Sequence, residues 1–276
     1  MASAYLDDRS LLRIAGEDAR VFLQGLVTCN MDKINLTQAG FGALLSPQGK
    51  ILFDFLIVED AEGFLLDTAS AQAEALAKRL GMYRLRAQVT IAAQPELGVL
   101  AGWDGTPLPG LSYDDPRHTG HDAGLGRRAI VERSQAQGTA SADDYHAHRI
   151  VCGVPEAGRD FPFGEIFPHD ADMDLILGLD FKKGCYVGQE VVSRMEHRGT
   201  SRKRILPVLL RGPAPAPGTA IMAGELAIGT LGTSAANGHA LALIRTDRAE
   251  DAISAGTALV AGAAIVELHP DHMAKG

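Results

Sequence analysis

The residues best suited to chemistry lie together in Lys182-Lys183-Gly184-Cys185-Tyr186-Val187-Gly188-Gln189-Glu190. Val191, Val192 and Met195 follow at helical spacing and Gly199 offers a stop, so Cys185 falls just ahead of a helix N-terminus with two lysines upstream. A helix dipole and neighbouring cations both favour a thiolate, and the expectation is a reactive thiol of lowered pKa. Gly184 and Gly188 allow the tight turns that bring backbone close to a ligand. The alternative for any single cysteine is a buried, inert thiol. Cys29 and Cys152, in apolar surroundings, are read that way.

Asp54 is the second candidate. In the strand-like run Lys50 to Val58, alternation puts Leu52, Asp54 and Leu56 on one face and Ile51, Phe53, Phe55 and Ile57 on the other. A carboxylate between leucines needs a partner, a ligand or water, because burying it bare is costly. The alternative is an edge position where that face meets solvent. With a ligand beside it, such a group accepts hydrogen bonds or takes part in proton transfer.

Other patterns carry less. Cys185 and His197 stand twelve residues apart, more than two helical turns, too far for a nucleophile–base pair. His146-Ala147-His148, and His269 with His272, lack the cysteine or carboxylate company of a zinc site, so no metal is expected. Gly124-Leu125-Gly126-Arg127-Arg128-Ala129 fits G-x-G-x-x-A but has neither a strand before it nor a helix after it, and the dinucleotide reading fails on context. Arg194, His197, Arg198, Arg202, Lys203 and Arg204 form a basic cluster. A solvated face is the default for such a run. Attraction of anions, such as a polyglutamate tail or an RNA-bound partner, is the functional alternative.

These residues must be positioned by mixed elements. A short strand at 10–14 leads to a helix whose first turn holds Glu17 and Asp18, with Ala19, Phe22, Leu23 and Leu26 on one side. Strands at Gly42 to Leu45 and Lys50 to Val58 are joined by Ser46-Pro47-Gln48-Gly49, a good hairpin connection. A strand at Phe64 to Thr68 follows, then a helix over Ala71 to Leu80 capped by Ser70 and ended by Gly81. Strands are expected near Arg86 to Ile91 and Leu97 to Ala101, loop over 102–126, a helix from Asp143 to about Val151, and irregular chain over 153–171. The proline-rich Gly212 to Gly218 is a stiff connector. Short β-type runs on both sides of it, from Ile205 to Leu268, suggest a small antiparallel barrel. The pattern is α+β, without regular βαβ alternation.

With 276 residues and 46% hydrophobic content, the chain can bury a core across more than one unit. A net charge of −8 argues against general nucleic-acid binding. Three cysteines make no disulfide framework, and acidic residues occupy the N-terminus where a secretory leader would be basic and then apolar; both point to a soluble, cytoplasmic protein. The longest apolar run, Ile51 to Val58, is too short to span a bilayer and contains Asp54. Nothing in the sequence demands more than a monomer.

Lys183-Gly184-Cys185-Tyr186-Val187-Gly188-Gln189-Glu190 resembles the K-G-C-Y-x-G-Q-E signature of YgfZ-type proteins, relatives of the glycine-cleavage T-protein (aminomethyltransferase). Leu23 to Thr28 resembles that family's N-terminal helix end, Gly49 to Asp54 its hairpin with an acidic residue, and Ile228 to Ser234 a run in its barrel. Pro168 to Asp174 stands where relatives carry Pro-x-Glu-x-x-x-Asp, with His169-Asp170 replacing the commoner Gln-Glu. The resemblance implies a T-protein-like bipartite folate-binding region over 1–204 and a C-terminal β-barrel over 205–276. It implies tetrahydrofolate, or a one-carbon derivative, as ligand. It implies iron–sulfur client or assembly proteins as partners, and a role in making or repairing iron–sulfur enzymes through Cys185. Asp54, Phe41, Lys183, Gly184, Tyr186, Gln189 and Arg194 become the implied folate-binding positions, with core packing the alternative for Phe41 and with Cys185 and Asp54 as the reactive pair. A folate-dependent aminomethyl or other one-carbon transferase is the alternative, with Asp54 central and Cys185 incidental. T-proteins have no cysteine at this position, and Arg127 and Arg128 lie near where they place a pterin-binding glutamate, which argues for the YgfZ branch.

Overall fold

Alternating inward positions along the early strands generate two antiparallel sheets that share one core. The computed structural model describes residues 1–117, 124–199 and 202–268; His269 and His272 lie outside them. The chain begins with β1 (Ala2–Tyr5), β2 (Arg9–Ala15) and α1 (Ala19–Gln24), then β3 (Gly40–Leu45), β4 (Ile51–Asp60), β5 (Gly63–Ala69) and α2 (Ser70–Tyr83). β6 (Thr90–Ala93), β7 (Leu97–Trp103), β8 (Leu111–Asp114), β9 (Arg127–Glu132) and α3 (Ala142–Val151) follow. A long stretch dominated by turns leads to α4 (Gln189–Arg198). The last part holds β10 (Lys203–Arg211), β11 (Ala220–Ala223), β12 (Leu226–Ser234), β13 (His239–Arg245), α5 (Thr246–Ser254), β14 (Leu259–Ala261) and β15 (Ala264–Leu268).

One sheet has the order β3-β4-β5-β2-β6 and the other β1-β7-β9-β8. Leu11, Phe41, Leu56 and Leu65 from the first meet Val99, Ala101, Trp103 and Ile130 from the second in the main core. The opposite face of the five-stranded sheet, with Phe53, Phe55 and Ile57, is covered by Leu23 of α1 and by Leu76 and Leu80 of α2. The last six strands close into a barrel in the order β10-β13-β12-β11-β14-β15. The barrel has its own core, and Ile205 and Leu241 from its strands join the main one.

Several elements differ from the sequence expectation, each for a physical reason. Ser70 is the first residue of α2 rather than its cap, its hydroxyl 2.8 Å from that of Ser10, and the helix runs through Gly81 to Tyr83. β8 lies inside a stretch read as loop, because Tyr113 is buried opposite Arg128 of β9. α5 was not expected from the sequence; its buried residues are the small Ala249 and Ala252. In the β3–β4 hairpin the register slips by one between Leu44 and Leu45, so Ile51 joins the main core while Leu52 packs with Phe53 on the helix-covered side. Asp54 and Leu56 still share a face, as alternation requires.

Candidate functional site

Cys185 is exposed, whereas Cys29 and Cys152 are buried. Burial pushes the Cys29 thiol up to about 12 and that of Cys152 up to about 11. The Cys185 segment reaches α4 through two left-handed glycines, Gly184 (φ 97°) and Gly188 (φ 82°). A side chain on Gly188 would stand 2.6 Å from the Ser46 carbonyl, and one on Gly49 would stand 3.0 Å from Val191, so the hairpin turn and the start of α4 interlock.

The N-terminal segment Gln24 to Asp32 holds the cysteine loop in place. The Gln24 amide donates to the Lys183 carbonyl (3.1 Å) and to Asn30 Oδ1 (3.1 Å), while its oxygen accepts from the Met31 N–H (2.7 Å). Thr28 Oγ1 donates to the Gly178 carbonyl (2.6 Å) and accepts from the Ala43 N–H (2.8 Å). The Lys183 ammonium turns inward, donates to the Val27 carbonyl and lies 5.3 Å from the centre of the Tyr186 ring. Burial lowers its pKa to about 8. The Tyr186 N–H donates to Gln189 Oε1 (3.3 Å), and its buried hydroxyl has no partner among the described residues. Sequence reasoning did not assign Gln24, Thr28 or Asp180 to the site, although the first two lie inside a run it had marked.

Beside this loop is a cavity of about 400 Å³, lined by Phe41, Cys29, Lys33, Asp114, Leu179 and Asp180 among others. Asp180 joins the cavity to the cysteine segment: one oxygen accepts from the Lys182 N–H (2.8 Å), the other from the Lys33 ammonium (2.7 Å). Phe41 forms part of the wall and carries the Arg117 guanidinium 5.6 Å from its ring centre.

Asp54 lies deeper, on the same sheet face as Phe41, in a buried network of charges that the sequence did not reveal. Arg9 pairs with Asp67 (2.6 Å) and Glu156 (3.0 Å), and Arg128 with Asp67 (2.5 Å) and Asp115 (3.1 Å). Arg117 pairs with Asp115 (2.6 Å), and Arg149 joins Asp160 (2.6 Å) and donates to Thr233 Oγ1 (3.1 Å) in the barrel strand β12. Burial would raise Asp115 and Glu156, but the arginines overcome it and hold both at about 2. Burial wins at Asp54 and pushes its carboxyl up, against the pull of Arg9. Asp54 Oδ2 accepts from the Ala157 N–H at 3.4 Å, and Oδ1 is buried without a partner among the described residues. Arg194 stands apart at the surface, paired with Glu190 one turn back (2.5 Å). Arg204 also leaves the basic cluster, gripping Asp174 (2.6 and 2.8 Å).

Two sheets around a common core with a terminal barrel define the aminomethyltransferase T class of fold. The crystal structure of glycine cleavage system aminomethyltransferase T from Bartonella henselae superimposes with a TM-score of 0.71, covering 98% of this chain and 85% of that one at 16% identity. That likeness speaks to the fold alone. Residues 202–275 match the CAF17 C-terminal beta-barrel domain family. The human mitochondrial iron-sulfur cluster assembly factor IBA57 is 34% identical over 244 residues, spanning 77% of this chain and 67% of the human protein. The mouse protein of that name is 34% identical with the same coverage, and the Pyricularia oryzae homologue is 35% identical, with 58% of its length covered. The chain belongs to the CAF17/IBA57 family. These relatives are named mitochondrial, which overturns the cytoplasmic expectation; an N-terminal composition reports on secretory leaders, not on every compartment. Among the described residues, no helix is long and apolar enough to cross a membrane.

Proposed function

We propose that this chain is an iron–sulfur cluster assembly factor whose working group is the Cys185 thiol, used in the manner of YgfZ-type proteins together with a reduced folate. Membership of a family whose human member is named an assembly factor supports the first part. The observation that carries the assignment to Cys185 is its exposure, on a loop fixed by Gln24, while the other two thiols are withdrawn into the core. One thiolate supplies one ligand to a cluster, so the remaining ligands come from a partner protein, and the cluster is cargo.

Two features support a reduced folate as the ligand. The cavity linked through Asp180 to the Lys182 N–H falls in the size range of small-molecule sites and has an aromatic wall in Phe41. Asp54 Oδ1 is buried without a hydrogen-bond partner among the described residues, on the same sheet face as Phe41. When bound, tetrahydrofolate would supply a one-carbon carrier. In this reading Phe41 packs against the pteridine, Asp54 accepts an N–H from it, and Lys183, Gly184, Tyr186 and Gln189 set the loop that closes the site.

Rescue of iron–sulfur enzyme activity in a strain lacking the protein tests the roles. Cys185→Ser is expected to abolish rescue, whereas full rescue by Cys185→Ser with none by Asp54→Ala would favour one-carbon transfer. Titration calorimetry with tetrahydrofolate should show weaker binding by Asp54→Asn at unchanged fold; equal affinity would remove Asp54 from the site.

A further inference from the structure

The chain carries a net charge of −8, yet Lys78-Arg79-Leu80-Gly81-Met82-Tyr83-Arg84-Leu85-Arg86 holds four cations and no carboxylate. This stretch is the end of α2 and the turn beyond it. Leu80 is buried and fastens it to the helix-covered side of the five-stranded sheet, with Tyr83 half-buried against the same core. The other side chains face outward: Lys78, Met82, Arg84, Leu85 and Arg86 are exposed and Arg79 is partly so. Lys78 and Met82 stand one turn apart on a single helical stripe, so cation and apolar side chain are neighbours. Among the described residues none of the four cations forms an ion pair, and Arg84 donates to the Val89 carbonyl (3.5 Å). Glu74, one turn before Lys78, does not pair with it.

Leu85 contributes nothing to the core. It is 88% exposed and sits at φ 45°, a left-handed position that glycine would occupy without strain. Met82, three residues before it, is 63% exposed. A side-chain carbon added at Gly81 would meet nothing within 4 Å. The stretch is therefore a convex knob with apolar tips among unpaired cations, without walls to enclose a small ligand or flank an extended peptide.

That shape and charge select the partner. Unpaired nucleic-acid bases need exposed aromatic faces to stack on, and the ring available here, Tyr83, is half-buried. A folded acidic protein would need a socket cut to the two apolar tips. An anionic lipid surface needs none: its headgroups attract cations, and its interface takes protruding Met and Leu side chains at the acyl boundary. We propose that the end of α2 rests peripherally on an anionic membrane surface. Met82 and Leu85 insert at headgroup depth, and Lys78, Arg79, Arg84 and Arg86 lie against the lipid phosphates. The proposal stands independently of the chemistry assigned to Cys185.

Sedimentation of the full chain with large unilamellar vesicles tests it. Partition into vesicles of mixed phosphatidylglycerol and phosphatidylcholine is expected, weakening with added salt, with little binding to phosphatidylcholine alone. Arg84→Gln/Arg86→Gln should lower the partition coefficient by about thirtyfold, and Leu85→Gly by about tenfold. Leu85→Gly relieves the left-handed strain and removes no core contact, so the variant keeps the fold and its loss of binding reports on the surface. Arg211→Gln/Arg248→Gln removes the same charge from groups that meet Glu267 and the Ala227 carbonyl, and should partition like the parent. The proposal is overturned if the chain stays in the supernatant, if neutral and anionic vesicles bind it alike, or if either α2 variant partitions like the parent. It is overturned as well if polyglutamate or single-stranded RNA releases the chain at a lower charge concentration than the lipid presents.

Discussion

Cys185 meets solvent, and nothing comparable holds for Cys29 or Cys152, whose thiols are both buried and raised in pKa. Native protein should therefore consume one equivalent of a thiol reagent quickly at neutral pH and three in denaturant, the fast phase vanishing in Cys185→Ser. A native fast phase that survives that substitution would place the reactive sulfur elsewhere. Cys185 was legible in the sequence because its chemistry is contiguous: lysines, glycines and the start of a helix fall within nine residues. Asp54 was legible as an anomaly in an apolar strand, and Asp67, between Leu66 and Thr68 in β5, carried the same signal unnoticed. Their partners were not legible. Arg9 reaches Asp67 and Glu156, and Arg128 reaches Asp67, across long stretches of chain, and no spacing rule connects such positions. The expectation that two lysines attend Cys185 also met a tertiary fact, the withdrawal of the Lys183 ammonium to the Val27 carbonyl.

At the scale of elements, the start of α4 is set by contact with the β3–β4 turn. Gly188→Ala must either force a side chain to 2.6 Å from the Ser46 carbonyl or accept a strained φ, at about 1–3 kcal/mol. Urea denaturation should report that loss, and reaction of Cys185 with a thiol reagent should change rate as its loop shifts. Gly184→Ala has open space around its added carbon, so it should cost backbone strain without displacing the hairpin. Equal behaviour of the two variants would deny the interlock. Most elements were readable from alternation and turn chemistry, including the hairpin, α3 and most of the barrel strands. Those missed were short or small-residued: β1, β8, β11 and α5. The slip at Leu44 and Leu45 was unreadable because alternation assumes an unbroken ladder.

For the whole molecule, pH stability follows from the buried carboxylates. Asp115 and Glu156 have folded pKa values near 2, below their ordinary values of 3.8 and 4.5. Their ionised forms therefore stabilise the fold above about pH 4.5, and that contribution drains away as pH falls toward 2. Circular dichroism across that window should show cooperative acid unfolding; Glu156→Gln should flatten the slope while lowering stability at pH 7. A parent whose stability is level from pH 5 to 2 would contradict this assignment. The barrel was suggested by its short β-type runs, whereas the bipartite arrangement before it came from the resemblance, since strand order leaves no local trace. The network also bears on how the molecule can be divided. A cut between β6 and β7 would leave Arg9, Asp54 and Asp67 on one fragment and Arg117, Arg128 and Glu156 on the other. β1, which pairs with β7 and bridges to Ala140, would be stranded on the wrong piece. The cut would sever the Arg9–Glu156 and Arg128–Asp67 pairs and lay open the core the two sheets share, so each half would have to fold without partners that only the intact chain supplies.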